Sequence, residues 1–312
     1  MRLVAQSIGF LAAAILSLGS AVAAEPAGCK AVRLSDVGWT DITATTGVTS
    51  TILTALGYQP DVKVLSVPVT YASLKNKDID VFLGNWMPTM EGDIKPYRED
   101  KSVETVRANL EGAKYTLAVP KYTYDAGLKS FADIAKFKDQ LGGKIYGIEP
   151  GNDGNRLILD MIDKGTFDLK DFKLVESSEQ GMLTEVKRAV SAKQPIVFLG
   201  WEPHPMNTNF AMTYLSGGDD VFGPNYGGAT VLTNVRKGYV DECPNVGKLL
   251  KNLSFTLPME DEIMGAILDG GKEGPAAGAA WLKAHPDVLN AWLDGVTTFD
   301  GKDGLAAVKA SL

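Results

Sequence analysis

The sequence predicts an α/β protein made of two similar lobes, each a mainly parallel sheet flanked by helices. Three observations carry this. Short β-branched runs alternate with helical periods in a βαβαβ order, which signals parallel strands covered by helices. Residues 81–88 (VFLGNWMP) are echoed at 197–203 (VFLGWEP). A strand–loop–helix unit lies upstream of each copy, AVRLSDVGWTDITATTGVT in the first half and KIYGIEPGNDGNRLILDMI in the second.

Taken in order, residues 31–36 (AVRLSD) read as a strand, and 45–57 as a helix closed by Gly57. Residues 62–67 and 79–83 (IDVFL) read as strands, with a short helix at 71–76 between them. Residues 113–119 (AKYTLAV) and 228–236 (GATVLTNVR) are strand-like segments flanking the second lobe. Helical patterns follow at 243–252, 259–269, 274–284 and 286–294. The expected division is a leader at 1–24, a discontinuous first lobe of 25–114 and 215–312, and a second lobe of 115–214.

Arg2, the apolar run at 8–19 and the small residues Ala21 to Ala24 form an export signal, which places the mature chain in the periplasm. The rival is a lipid-attachment site ending in Ala27-Gly28-Cys29, but Pro26 stands where a branched apolar residue is expected. No later run has the apolar length to cross a bilayer. The two cysteines, Cys29 and Cys243, read as a disulfide in an oxidising compartment, and would tie the N-terminus into the first lobe.

Composition excludes several function classes. The formal net charge of −7, without a basic run, disfavours nucleic acid and anionic membranes as partners. The two histidines, His204 and His285, lack the spacing of a metal cluster. No nucleophile elbow, phosphate-binding loop or dinucleotide fingerprint occurs. Glu260 and Glu262 read as the solvated face of a surface helix. No cofactor, metal or catalytic residue is therefore expected.

The five tryptophans divide into two groups. Trp281 and Trp292 sit in amphipathic helical patterns and read as core. Trp39, Trp86 and Trp201 lie at strand ends in polar or Gly/Pro turns (VGWTD, GNWMP, GWEPH), where α/β folds bind ligands. Either they plug the contact between lobes or they form a cage. An aromatic cage suits a quaternary ammonium, which has no N–H donor to leave unpaired on burial. Its methyl shell is attracted to ring faces by roughly 0.5–2 kcal/mol per ring when desolvated. Asp41, two residues after Trp39, either balances such a charge, caps a helix or lies exposed to solvent. Asn152, in GNDGN, either caps the following helix or reaches the cleft.

At VGWTDI, FLGNWMP, KYTLAVP, EPGNDGN and FLGWEPH the chain resembles the substrate-binding proteins of glycine betaine and choline ABC transporters. The resemblance covers essentially the whole mature chain. It implies a two-lobed type II periplasmic binding protein that closes on ligand in the inter-lobe cleft. It also implies that Trp39, Trp86, Tyr115 and Trp201 box a trimethylammonium group. Tyr115 enters only this way, since KYTLAV alone reads as an ordinary strand. Asp41 and Asn152 would receive the hydroxyl of choline, and Cys29 and Cys243 would be bridged. In betaine binders of the family the histidine of W-x-P-H can approach the ligand carboxylate; here His204 reads as structural.

The expected function is a monomeric, non-enzymatic receptor that delivers choline, or also acetylcholine, to an inner-membrane ABC permease. Asp41 argues against glycine betaine, whose carboxylate it would repel in a closed cleft. The rivals are a binder of betaine, proline betaine or carnitine, a periplasmic enzyme acting on choline derivatives, and a sensory module.

Overall fold

A computed structural model of the protein describes residues 25–312, so the expected export signal lies outside the described residues. The first lobe begins with β1 (Ala31–Asp36), parallel to both β2 (Gln59–Val64) and β3 (Val81–Met87). Helices α1 (Thr40–Ala55) and α2 (Val67–Asn76) make the two crossovers. Next comes α3 (Glu91–Glu99), then the long β4 (Val103–Pro120). The second lobe adds β5 (Lys144–Tyr146), β6 (Lys173–Val175), β7 (Phe198–Glu202) and β8 (Met212–Tyr214), and β9 (Gly228–Arg236) returns to the first.

The strands run in the order β2-β1-β3-β9-β4-β7-β5-β6, with β8 paired to the end of β4. Read from either end, this is one plan used twice. Three parallel strands meet an antiparallel one, β9 beside β3 and β4 beside β7. The two echoed segments are therefore equivalent strands. β4 passes from one lobe to the other at Lys114, which pairs with both Gly228 and Glu202. On the way back, Ser216 bridges to Ser130, and Phe222 packs on Phe131 with ring centroids 5.9 Å apart. Residues 216–222 thus stay with the second lobe until β9 begins.

Several boundaries differ from expectation for identifiable reasons. α1 starts at Thr40, five residues before the predicted start, and no side chain of its own caps it. Instead Glu179, 139 residues away, accepts from the Thr40 N–H, a partner no local pattern reveals. β2 begins at Gln59 and includes Pro60, which weakens a strand reading but is tolerated at the outer edge of a sheet. α2 opens at Val67 rather than at 71, with Pro68 in its first turn, where the missing N–H costs no bond. β3 extends to Met87, so Trp86 and Trp201 both lie within strands rather than just past them. The first half of β4 (VETVRANLE) was not anticipated, because its pairing with β9 shifts register three times and its polar residues are partly exposed.

Glu260 corrects a further expectation. The helix Leu257–Leu268 packs on α1 and turns Glu260 inward, 2 % exposed, while Glu262 stays at the surface and accepts from the Trp281 indole at 2.7 Å. Burial, with Asp41 nearby, holds the Glu260 carboxyl well above the usual carboxylate range. Trp292 is core as expected, whereas Trp281 is half-buried and stacks on His285. Cys29 and Cys243 form the disulfide, pinning the N-terminus to the turn before the helix Pro244–Asn252. Among the described residues no helix is long and apolar enough to cross a membrane.

Candidate ligand site in the inter-lobe cleft

Each lobe directs the N-terminus of a helix toward the cleft, α1 from the first and Asp153–Lys164 from the second. Trp39 is the residue before α1 and Asn152 the residue before the second helix. Trp86 and Trp201 come from the equivalent strands β3 and β7, each followed by a cis X-Pro peptide, Met87-Pro88 and Glu202-Pro203. Tyr115 sits just past the Lys114 crossing and pairs with Trp201 in the ladder.

These elements surround a small cavity lined by Trp39, Asp41, Trp86, Tyr115, Ile148, Asn152, Asp153 and Trp201. The structure thus brings together all six residues expected at the site. None of the four rings is more than 5 % exposed. Tyr115 occupies the middle, its centroid 6.0 Å from Trp86 and 6.2 Å from Trp201, both in edge-to-face contact. Gly154 makes this possible, since a Cβ there would fall 2.1 Å from the Tyr115 hydroxyl.

The polar groups of three of the rings are held by neighbouring side chains. The Trp86 indole donates to Asp41 Oδ2 at 3.1 Å, and the Trp39 indole donates to Glu149 Oε1 at 2.7 Å. The Tyr115 hydroxyl donates to Asn152 Oδ1 at 2.8 Å. That same oxygen accepts from the Asn155 N–H at 3.0 Å, so Asn152 both caps its helix and lines the cleft. Asp41 is neither a cap nor exposed; it is 1 % exposed on the cavity wall.

Sequence reasoning missed Ile148 and Asp153 in the wall and Glu149 and Glu179 behind it. Asp153 adjoins Asn152 in the GNDGN motif and was the most accessible of the four. The electrostatics of the cavity rest on these acids. Asp41 is pushed up to about 8, first by burial and then by Glu179. Burial likewise raises Asp153 and Glu149 to about 7. Oδ1 of Asp41 and Oδ2 of Asp153 are buried without a hydrogen-bond partner. Two helix N-termini alone would repel a cation; Asp41 and Asp153 in their first turns offset this only as far as they ionise, which burial opposes. The site is an aromatic box with two unpartnered carboxyl oxygens in its wall.

One further side chain joins the lobes. Arg156 reaches from the second lobe to Asp93 at 2.8 Å and to the Thr89 carbonyl at 3.0 Å in the first. His204 lies outside the cavity wall, with both ring nitrogens engaged: Nε2 with Glu179 at 3.0 Å, and Nδ1 accepting from the Met206 N–H at 2.8 Å. Among the described residues, Glu25, Cys29 and Cys243 cluster as metal ligands might, but both sulfurs are spent in the disulfide.

Two α/β lobes around a central cleft define the class, the type II periplasmic binding proteins. The chain belongs to the family of substrate-binding domains of ABC-type glycine betaine transport systems, whose model matches residues 30–284. An ABC-transporter choline-binding protein solved in complex with choline is 72 % identical, with a TM-score of 0.91, the match covering 92 % of this chain and 99 % of that one. An unliganded semi-closed ABC-transporter choline-binding protein is also 72 % identical but superposes at 0.84, covering 91 % and 99 %. A lactococcal relative closed on glycine betaine is 28 % identical with a TM-score of 0.76, covering 84 % of this chain and 98 % of that one. Polar contacts join the two lobes of this protein across the cleft, Trp39 to Glu149 and Thr40 to Glu179 among them.

Proposed function

We propose that this protein captures choline between its lobes and delivers it to an ABC permease in the inner membrane, acting as a periplasmic, monomeric receptor without catalytic activity. One observation carries the reading: four desolvated rings and two partnerless carboxylate oxygens wall one small cavity. Trp39, Trp86, Tyr115 and Trp201 box the trimethylammonium group, and Asp41 and Asn152 receive the hydroxyl. Rings contributing roughly 0.5–2 kcal/mol each supply several kcal/mol in sum. A buried carboxylate adds charge attraction at short range. The total is compatible with a micromolar dissociation constant, which corresponds to about −8 kcal/mol. The lobes we assign are 25–114 with 228–312, and 115–227, since residues 216–222 pack on the second lobe.

Glycine betaine fits less well, because its carboxylate enters a cavity already holding Asp41 and Asp153. Calorimetry with choline, acetylcholine, glycine betaine, proline betaine and carnitine tests the assignment. Choline is expected to bind at micromolar strength or tighter and betaine far more weakly; equal affinities reject the role given to Asp41.

A further inference from the structure

Glu179 occupies a nest of donors beside the box. Its buried carboxylate accepts from the Thr40 backbone N–H at 2.8 Å and from the Thr40 hydroxyl, and contacts His204 Nε2 at 3.0 Å. The Met206 N–H bond to Nδ1 assigns the proton of a neutral His204 to Nε2, which makes that nitrogen a donor to Glu179. Thr40 stands between two residues of the cavity wall, Trp39 and Asp41. His204 packs edge-on against a third, Trp201, at 4.8 Å between centroids. A helix N-terminus, a hydroxyl and an imidazole N–H thus converge next to the ammonium box, an arrangement suited to holding a carboxylate.

Glycine betaine carries a carboxylate beside its trimethylammonium group, and the family is one of glycine betaine transport. In this chain the donors that suit such a carboxylate are already taken by one of the protein's own. We propose that Glu179 is a specificity-determining residue: its side chain fills the nest that would otherwise hold the carboxylate of a zwitterion, and so restricts the site to cations with a neutral arm. The proposal rests on the reading of the cavity as a quaternary-ammonium box. It differs from a purely mechanical account, in which Glu179 only joins the lobes by pairing Thr40 of the first with His204 of the second.

The test is calorimetry on wild type, Glu179→Ala and Glu179→Ser with choline and glycine betaine, each with and without added formate, with folding checked by circular dichroism. In Glu179→Ala the affinity for betaine relative to choline is expected to rise at least about tenfold, the scale of a hydrogen-bonded charge gained. Formate is expected to refill the nest and restore the choline affinity of that variant. A purely mechanical role also allows formate rescue, through a renewed bridge between Thr40 and His204, but leaves the betaine-to-choline ratio unchanged, so an unchanged ratio overturns the proposal. If Glu179→Ala does not fold, Glu179→Ser decides: it too empties the nest, the ratio is expected to rise, and an unchanged ratio overturns the assignment. Wild type tested with choline alone is a separate arm. Absence of binding there removes the ammonium-box reading, whereas normal binding with an unmoved ratio in the variants removes only the role of Glu179.

Discussion

The indole N–H of Trp86 donates to Oδ2 of Asp41 over 3.1 Å, tying the end of β3 to the first turn of α1. The bond orients a ring of the box and occupies one carboxylate oxygen. The other, Oδ1, remains buried and unpartnered, and the group sits far above its ordinary ionisation range, at about 8. Burial and the neighbouring Glu179 therefore suppress the charge of Asp41 at neutral pH.

Replacing Asp41 by Asn keeps an acceptor for Trp86 while removing the charge. Choline affinity is expected to fall roughly ten- to a hundredfold, the range for a hydrogen-bonded charge. Betaine should lose less or improve. Titration calorimetry on both ligands checks this, and parallel losses would show that charge plays no part.

Trp86→Ala and Trp201→Ala each remove a ring face and leave a void. Each is expected to lower choline affinity at least about tenfold. Tyr115→Phe retains the ring and loses only the bond to Asn152, so its effect should be about 1 kcal/mol. Calorimetry with circular dichroism on the same samples separates lost binding from lost folding. A Tyr115→Phe loss as large as the tryptophan losses contradicts this ordering.

Binding should depend on pH with a definite sign. Asp41 at about 8, and Asp153 and Glu149 at about 7, lie above their unfolded values. A bound cation favours the ionised carboxylates, so binding releases protons and weakens as pH falls through about 8 toward 6. Repeating the titration in buffers of different ionisation enthalpy counts the protons. The empty protein shows the converse. The folded state holds these protons longer than the unfolded chain does, so stability declines as pH rises from about 4 to about 8. Thermal melts across that window, with and without choline, follow it. A choline affinity flat from about pH 6 to about pH 8 would exclude the linkage.

The disulfide should matter for stability and not for recognition. It joins two segments of the first lobe across a sequence separation of 214 that includes the whole second lobe, and neither cysteine lines the cavity. Changing both cysteines to Ala is expected to cost about 2–5 kcal/mol in denaturant unfolding while choline affinity changes less than about twofold. A large change in affinity would mean that the bridge positions the box.

Much of this was legible beforehand. The echo VFLGNWMP and VFLGWEP marked β3 and β7, which are equivalent strands in a doubled plan. The three tryptophans of the box stood out because large apolar rings at polar strand ends have no local reason to be there. Tyr115 had no such mark: a tyrosine within KYTLAV is ordinary strand chemistry, and only the family resemblance selected it.

Sequence by itself determined the alternation of strands and helices, the repeat and the aromatic supply of the site, because period and residue type are local properties. The tertiary structure decided the rest. It set the start of α1 through Glu179, turned Glu260 inward, and made Asp41 and Asp153 buried acids with unspent oxygens. Each of these depends on a partner distant in the chain or on the removal of water. Desolvation belongs to the packed fold, and no run of residues carries it.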